Sequence, residues 1–382
     1  MAREANLSVL VQKHLFHTAK LDLDVAQSIP ATVGYETYGQ LSPARDNAIL
    51  ICHPFGGTSH AAGRYGADDP ATGWWDHLIG SGKAFDTDKY FVIAVDSLCN
   101  LSVKSPLVIT TGPATINPAT GRPYGSDFPQ ISMRDNVRLQ YQLLQSLGID
   151  RLVCVAGPST GGFQALEWAV TYPDMVDRVV AVAATHQSPA IFALAVCQAG
   201  IDAVTADPAF KGGHYYDSEG PTAGLQRAAF LVSTLMHSDA WAWNMWERKT
   251  APGSMHPRAD REGRFAFQAG MAELAEALAQ DWDANHFVYT ARAALLHDIG
   301  YANRGLEVAA QKIKARLLLV AISGDMLFPP EASKPLAEAV NRYGGNAEVA
   351  LMESGAGHSG SLQDCAWLAE PITRFLRREQ MH

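Results

Sequence analysis

Short apolar runs alternate with amphipathic stretches along the first half of the chain. The runs are rich in β-branched and aromatic residues and have the length of buried strands. They fall at residues 47–52, 90–96, 151–156 and 178–183. Helical spacing of apolar residues covers about 133–147, and Gly148 supplies a stop signal. Strands that alternate with helices predict an α/β fold with a mostly parallel, doubly wound sheet.

The strand signal is absent between about residues 185 and 310. Ala, Leu, Gln, Glu, Trp and Met accumulate there, and helices are predicted at 192–207, 225–236 and 270–279. Strand-like runs return at 316–322 and 348–352. We therefore predict a core made of residues 1–184 and 311–382. A helical cap at 185–310 is inserted into it.

The most informative motif is the pentapeptide from Gly157 to Gly161, which fits G-x-S-x-G around Ser159. An apolar strand-like run precedes it and a helix-like stretch follows it. That context is typical of a nucleophile elbow, a sharp turn that lifts a serine hydroxyl clear of a sheet. A serine needs a base to take its proton before it can attack a carbonyl. The motif alone is often an accidental turn, and the flanking pattern favours the catalytic interpretation.

Two residues at strand ends complete a possible triad. Asp325 follows the run at 316–322, and His358 follows the last predicted strand. The chain order of serine, acid and histidine is that of sheets with a nucleophile elbow. Taken singly, Asp325 is a turn or cap residue and His358 is a loop residue. Taken with Ser159, they predict a nucleophile, a general base and a carboxylate that orients the base.

The oxyanion of an acyl-transfer reaction requires two N–H donors. One is predicted to be the backbone N–H of Thr160, next to the nucleophile. The other is expected from the loop that begins at His53, where Pro54 has no N–H and Phe55 is the better candidate. Other histidines do not follow a strand in the required way and are interpreted as structural. They include His53, His60, His186 and His286.

Composition narrows the class of protein. The chain has 382 residues, 47% of them hydrophobic, and a net charge of −9. This charge argues against nucleic acid and against an anionic membrane surface as partners. There is no signal-peptide pattern and no apolar run of roughly 18 residues, so a cytoplasmic location is expected. The five cysteines are scattered, which predicts buried free thiols.

We expect neither a metal nor a cofactor. No C-x-x-C pair is present. The stretch 355–360 spells G-x-G-x-x-G, the dinucleotide-binding pattern. That pattern needs a βαβ unit and an acidic residue about 20 positions further on. Only 22 residues follow Gly360, so the unit does not fit.

Several segments resemble the homoserine O-acetyltransferase family of α/β-hydrolases, from about residue 30 to 365. The resemblance implies an α/β-hydrolase core with a helical cap, an acyl-serine intermediate and a homodimer packed through the caps. It also puts Ser159, Asp325 and His358 at the family's triad positions. The matching segments are YETYG at 35–39, GWWD at 73–76, GSGKAFDTD at 80–88, NPATG at 117–121, YGSDFP at 124–129, QALEW at 164–168 and LFPP at 327–330.

Departures from the family pattern concern the acceptor. The resemblance implies an Arg and a Tyr in a cap helix and an Asp after the catalytic His. By alignment, Ala229, Met236 and Ser359 stand there, and Arg227 lies about 200° round the helix from the Arg position. A zwitterionic acceptor needs charged partners when it leaves water. The cap offers aromatic residues such as Trp243 instead, which belong either to the pocket or to cap packing.

These departures lead us to rank three candidate functions. The first is a serine carboxylesterase that hydrolyses short-chain esters of small uncharged alcohols through an acyl-Ser159. The alternative is an O-acetyltransferase that uses acetyl-CoA and homoserine or another small hydroxyl acceptor. A third is a non-catalytic binding module. Besides the triad, Trp243, Met236 and Ser359 are predicted to line the substrate pocket.

Overall fold

An eight-stranded, mostly parallel sheet forms the centre of the molecule, as the sequence predicts. The computed structural model describes residues 10–25, 28–69 and 71–377. The sheet has the strand order β1-β2-β6-β3-β9-β10-β11-β12. Its strands are β1 (His14–Leu21), β2 (Ile29–Tyr38), β3 (Ala48–Cys52), β6 (Phe91–Val95), β9 (Cys154–Pro158), β10 (Arg178–Val182), β11 (Arg316–Ile322) and β12 (Ala347–Met352). Two short two-stranded sheets contain β4 (Ile79–Gly80) with β5 (Phe85–Asp86), and β7 (Ile116–Asn117) with β8 (Arg122–Pro123).

Most of the parallel strands are buried on both faces, whereas the parallel edge strand β12 alternates between buried and more exposed residues. From β6 through β12 the neighbouring strands of the large sheet pair in parallel, and β3, β9 and β11 are buried throughout. Parallel strands covered on both faces consist of continuous apolar runs. The edge pair β1 and β2 is antiparallel, and β1 is largely exposed. Its polar residues hide the strand from a search for apolar runs, so the sequence does not predict it.

Helices cover both faces of the sheet. They are α1 (Met133–Ser146), α2 (Thr160–Thr171), α3 (Ala199–Thr205), α4 (Thr222–Met236), α5 (Asp239–Trp246), α6 (Ala266–Ala279), α7 (Ala284–Leu295), α8 (Leu306–Lys312), α9 (Lys334–Arg342), α10 (Gly360–Gln363) and α11 (Ala369–Arg377). A π-helix occupies Phe192–Gln198. Helix α1 begins at a capping box in which Ser132 and Asp135 each accept the other's backbone N–H. Gly148, with φ of 66°, follows its end.

Two apolar layers lie on opposite sides of the sheet. One contains the buried sides of α1 and α2 together with residues such as Phe163 and Trp168. The other packs Trp75, Phe85 and the α11 residue Phe375 against the sheet. In the described part of the chain, no helix has the length and apolar character needed to cross a membrane.

The segment between β10 and β11 contributes helices α3 to α8 and, within the described ranges, no strand of the large sheet. Helices α3 to α7 pack on one another, with α4 in contact with α3 and α6, whereas α8 packs mainly on α9 and α2. The ends of β3, β9, β11 and β12 lie at the edge of the sheet that these helices cover. Since carboxyl ends of parallel strands share one edge, the loops after these strands meet there.

Candidate active site

The turn at Ser159 is strained in the way a nucleophile elbow requires. Ser159 joins β9 to α2 and has φ of 54° and ψ of −124°, a conformation that few residues other than glycine adopt. Its neighbours must be small. A Cβ at Gly161 would lie 2.1 Å from the carbonyl oxygen of Cys52, and one at Gly157 would lie 2.5 Å from the same atom. The end of β3 therefore packs directly against the elbow.

Ser159, His358 and Asp325 form one chain of hydrogen bonds. Ser159 Oγ lies 2.9 Å from His358 Nε2, and His358 Nδ1 lies 2.7 Å from Asp325 Oδ2. All three side chains are buried. A carboxylate only accepts, so Nδ1–H donates to Asp325 and Nε2 accepts from the serine hydroxyl. This tautomer lets His358 take the proton of Ser159.

The loops after β11 and β12 hold the acid and the base. Asp325 Oδ1 accepts the backbone N–H groups of Leu327 and Phe328, each at 2.9 Å, which leaves Oδ2 to the imidazole. His358 lies in a short 3-10 turn, Gly357–Ser359, where Gly357 has φ of 68°. A Cβ at Gly357 would lie 2.8 Å from the backbone nitrogen of Ser238. Glycine here lets the base loop approach the start of α5.

The two backbone N–H groups predicted from the sequence as oxyanion donors, those of Thr160 and Phe55, donate to no backbone carbonyl of their own helix or turn. Thr160 is the first residue of α2, and the first N–H groups of a helix have no partner within it. Phe55 is the second residue of a turn closed by Gly57 N–H and the carbonyl of Pro54 at 2.8 Å, so the turn does not use its N–H. The Phe55 ring packs edge-on against Trp282 at 6.3 Å between centroids. This packing fixes the donor loop.

His53 holds the same loop in place through two hydrogen bonds to backbone groups. Its Nδ1 donates to the carbonyl of Pro54 at 2.8 Å, and its Nε2 accepts the backbone N–H of Ser97 at 3.1 Å. A ring nitrogen that accepts an N–H carries no proton, so the hydrogen bond from Ser97 requires a neutral ring, and burial lowers the pKa of His53 in the direction that favours this form. His53 therefore acts on the shape of the loop.

A cavity of about 310 Å³ opens onto Ser159 and His358. The strand-end loops form its base and the inserted helices form its roof. Aspartate, glutamate, lysine and arginine are absent from its lining in the described ranges. The lining residues are Pro54, Phe55, Gly56, Gly57, Thr58, His60, Thr72, Trp74, Ser159, Phe192, Val196, Val232, Met236, Leu278, Trp282, Leu327, His358, Ser361 and Leu362.

The three predicted pocket residues have different positions. Met236, at the end of α4, lines the cavity. Trp243 does not: α5 turns Trp241 toward Gln363, and Trp243, about 200° further round the helix, is 53% exposed. Ser359 does not line it either, because its Oγ is buried and donates to the carbonyl of Ala356.

Two positions on the cap helix α4 bear on how an acceptor could be held. Ala229 is fully buried in the core and is not among the residues that line the cavity, although it lies on the same side of α4 as Val232 and Met236. Arg227 is exposed, as its helical phase predicts. A guanidinium at position 229 would therefore be buried without a partner from the lining.

Sequence reasoning missed two groups that line the cavity, Trp282 and His60. Trp282 lies between α6 and α7 and is 1% exposed. His60 lies seven residues after His53, in the loop that carries the predicted oxyanion donor. That shared loop is the signal available in the sequence, since any side chain on it is close to the elbow.

The family model, the curated relatives and the solved structures all place the chain among the α/β-hydrolases. The family model described as alpha/beta hydrolase fold matches residues 47–364. A homoserine O-acetyltransferase of Symbiobacterium thermophilum is 41% identical over 349 residues, covering 91% of this chain and 88% of that protein. The crystal structure of homoserine O-acetyltransferase from Bacillus anthracis matches with a TM-score of 0.93 and 39% identity, covering 97% and 99% of the two chains. An esterase of known structure matches with a TM-score of 0.91 and 35% identity, covering 96% and 100%.

These relatives overturn the first functional expectation. Curated relatives at 36–41% identity over most of the chain are named homoserine O-acetyltransferase. The prediction of a carboxylesterase is therefore wrong, and the alternative is better supported. The carboxylesterase prediction relied on three positions, inferred by alignment, at which residues that hold the acceptor are expected. A cavity built from other residues can bind the same acceptor, and both reactions pass through the same acyl-serine.

Proposed function

Because the chain belongs to the homoserine O-acetyltransferase family of α/β-hydrolases, we propose that it transfers an acetyl group from acetyl-CoA to a small hydroxyl acceptor. It is an enzyme of the α/β-hydrolase superfamily. Homoserine is the first acceptor to test, since the relatives' name contains it. The hydrogen-bonded chain of Ser159, His358 and Asp325 beneath an apolar cavity carries this proposal.

The first half-reaction acetylates the enzyme. His358 Nε2 takes the proton of Ser159 as Oγ attacks the thioester carbonyl. The N–H groups of Phe55 and Thr160 stabilise the oxyanion that forms. When the carbon–sulfur bond breaks, His358 returns its proton to the leaving thiolate. The products are acetyl-Ser159 and free CoA.

The second half-reaction repeats these steps with the acceptor. His358 removes the proton of the acceptor hydroxyl, whose oxygen attacks the acetyl-serine carbonyl. The same two N–H groups stabilise the oxyanion, and Ser159 leaves with the proton held by His358. The products are the acetyl ester and the free enzyme. An ordered sequence of two half-reactions through one covalent intermediate predicts ping-pong kinetics.

The cavity supports transfer to an alcohol. The inserted segment covers the site with the side chains of Phe192, Val232, Met236, Leu278 and Trp282. Apolar walls lower the local concentration of water around the acyl-enzyme. An acceptor that fills the space therefore has an advantage over water.

The direct test is the rate of CoA release from acetyl-CoA, with and without L-homoserine. We expect release that depends on homoserine, with parallel double-reciprocal plots. Ser159→Ala is the control and is expected to release no CoA above background. Rapid CoA release that is indifferent to every hydroxyl acceptor tried would contradict the proposal.

A further inference from the structure

A second carboxylate–imidazole pair lies at the cavity, apart from the triad. His60 Nδ1 is 3.0 Å from Glu36 Oε2. Glu36 lies on β2 and is completely buried. The His60 ring also stacks on Tyr65, with 4.3 Å between centroids. The imidazole is therefore fixed by one hydrogen bond and one ring contact.

Glu36 is held as an anion. Lys13 Nζ lies 2.8 Å from its Oε1, and the hydroxyl groups of Tyr38 and Tyr65 donate to it at 2.9 and 2.5 Å. Burial alone would raise the pKa of Glu36, but the hydrogen bond from His60 and the charge of Lys13 outweigh it and lower the pKa. An anionic carboxylate only accepts, so His60 donates from Nδ1. In the neutral ring, Nε2 then carries the free lone pair.

That lone pair has no partner within the protein. His60 Nε2 is buried and makes no hydrogen bond to the described residues. His60 lines the cavity together with Ser159 and His358. Outside the triad it is the only ionisable side chain in the lining formed by the described residues. A buried polar atom without a partner costs free energy, and a bound molecule with an N–H or O–H group would remove that cost.

The charged residues next to the His60 ring favour a ligand whose hydrogen-bond donor is positively charged. Lys13 lies 2.8 Å from Glu36 and 3.6 Å from Asp96, so one ammonium faces two carboxylates. Both carboxylates are buried. With neutral His60, this cluster carries one formal negative charge. The cavity lining itself supplies no carboxylate in the described ranges to pair with a ligand's ammonium group.

We propose that His60, oriented by Glu36, binds the acceptor in the second half-reaction, with Nε2 accepting a hydrogen bond from the ammonium group of an amino-acid acceptor. This inference rests on the proposed transferase function. It gives the acceptor a polar contact that the alignment at Ala229, Met236 and Ser359 does not offer. Glu36 is then a positioning residue that acts through the His60 ring.

The test separates the two half-reactions. His60→Phe keeps a ring against Tyr65 but removes both nitrogens, and His60→Gln restores an acceptor oxygen. We measure the acylation burst with 4-nitrophenyl acetate and kcat/KM for the acceptor at saturating acetyl-CoA. His17→Phe, on the exposed strand β1, is the matched control.

For His60→Phe we expect a burst within about twofold of wild type and kcat/KM for L-homoserine lower by about tenfold or more, the effect of one charge-assisted hydrogen bond. The loss appears mainly in KM, and His60→Gln recovers part of it. A panel of acceptors identifies the group that is bound. 3-Amino-1-propanol, which keeps the ammonium, is expected to lose as much as homoserine, whereas 4-hydroxybutanoate and 1-propanol lose less.

Three results would overturn the assignment. Unchanged homoserine kinetics in His60→Phe would exclude the contact. Equal losses in the burst and in transfer, in both His60 variants, would indicate a purely structural residue. Equal losses for all four acceptors would exclude recognition of the ammonium.

Failure of the transferase proposal itself has a different signature. Wild-type enzyme would then form acetyl-Ser159 but pass the acetyl group to none of the acceptors. Calorimetric titration of Ser159→Ala with L-homoserine still tests His60 in that case. We expect heat of binding in Ser159→Ala and none in the double variant that also carries His60→Phe. Equal binding in the two proteins would contradict the assignment.

Discussion

The ring of Phe328 stacks on the imidazole of His358, with centroids 4.9 Å apart and 23° between the ring planes. Its backbone N–H also donates to Asp325 at 2.9 Å. Phe328 therefore contacts both His358, the proposed base, and Asp325, the group proposed to orient it. The two functions are separable, because a substitution removes the ring and leaves the N–H in place.

Phe328→Ala is expected to lower both stability and turnover. Phe328 is 2% exposed and packs against Phe163 and Phe192, so truncation leaves a buried cavity that costs about 3–5 kcal/mol of unfolding free energy. The freed imidazole should lower kcat by roughly ten- to a hundredfold. Denaturant unfolding and steady-state kinetics measure the two effects. Phe230→Ala, on the exposed side of α4, should change neither, and an unaltered kcat in Phe328→Ala would show that the ring is dispensable.

Gly161→Ala is expected to abolish activity. The new Cβ would lie 2.1 Å from the carbonyl oxygen of Cys52, and that oxygen belongs to backbone that cannot move without displacing the oxyanion loop. Gly66→Ala is the matched control, since a Cβ there meets nothing within 4 Å. Burst acylation and circular dichroism report the outcome. A Gly161→Ala enzyme with a normal burst would contradict the close approach of β3 to the elbow.

Acidification is expected to destabilise the protein through buried histidines. Burial lowers the pKa of His297 from 6.5 to about 3. Between these values the unfolded chain binds a proton that the folded chain does not. The free energy of unfolding therefore falls as pH drops below about 6.5, by up to about 1.4 kcal/mol per pH unit for this group. His53 and His286, whose pKa burial also lowers, act in the same direction.

His297→Gln tests this linkage, since Gln keeps a donor for the carbonyl of Thr185. The stability of this variant should depend less steeply on pH between 6.5 and 5 than that of wild type. His17→Gln on β1 is the control. Denaturant unfolding at several pH values gives the slope. Parallel wild-type and His297→Gln curves would mean that folding does not lower the pKa of His297.

Leu278→Ser is expected to divert the acyl-enzyme toward water. Leu278 lines the cavity from α6, whereas Leu274, one turn earlier, is 39% exposed. A hydroxyl in the wall admits water that competes with the acceptor. The ratio of acetate to acetyl ester formed from acetyl-CoA should rise in Leu278→Ser and stay unchanged in Leu274→Ser. Equal ratios in the two variants would show that the wall does not control access of water.

The sequence predicts the parallel half of the sheet well because those strands are buried on both faces. β3, β10 and β11 coincide with continuous apolar runs, whereas β9 begins three residues after the start of its predicted run. The edge strand β1 is half polar and leaves no such signal. Helix α7 buries Asn285 and His286, so its apolar periodicity is interrupted. Polar residues in the interior depend on partners that only the folded chain supplies.

The same limit applies to the site. Ser159, Asp325 and His358 are recognisable because each follows a strand. Trp243 faces away from the cavity because of its position round helix α5, and composition does not predict which side of a helix faces a cavity. His60 is interpreted from the sequence as structural because it does not follow a strand, and its partner Glu36 lies 24 residues earlier, on β2. The surroundings of His60 at the cavity depend on contacts between distant segments, which the sequence alone does not reveal.

We propose that Ser159 carries the acetyl group between donor and acceptor. Mass spectrometry of the protein, quenched after mixing with acetyl-CoA, tests it most directly. We predict a mass increase of one acetyl group on the peptide that contains Ser159, which disappears on addition of L-homoserine as the acetyl ester forms. Absence of the adduct in an enzyme that still releases CoA, or an adduct that persists in Ser159→Ala, would contradict the account.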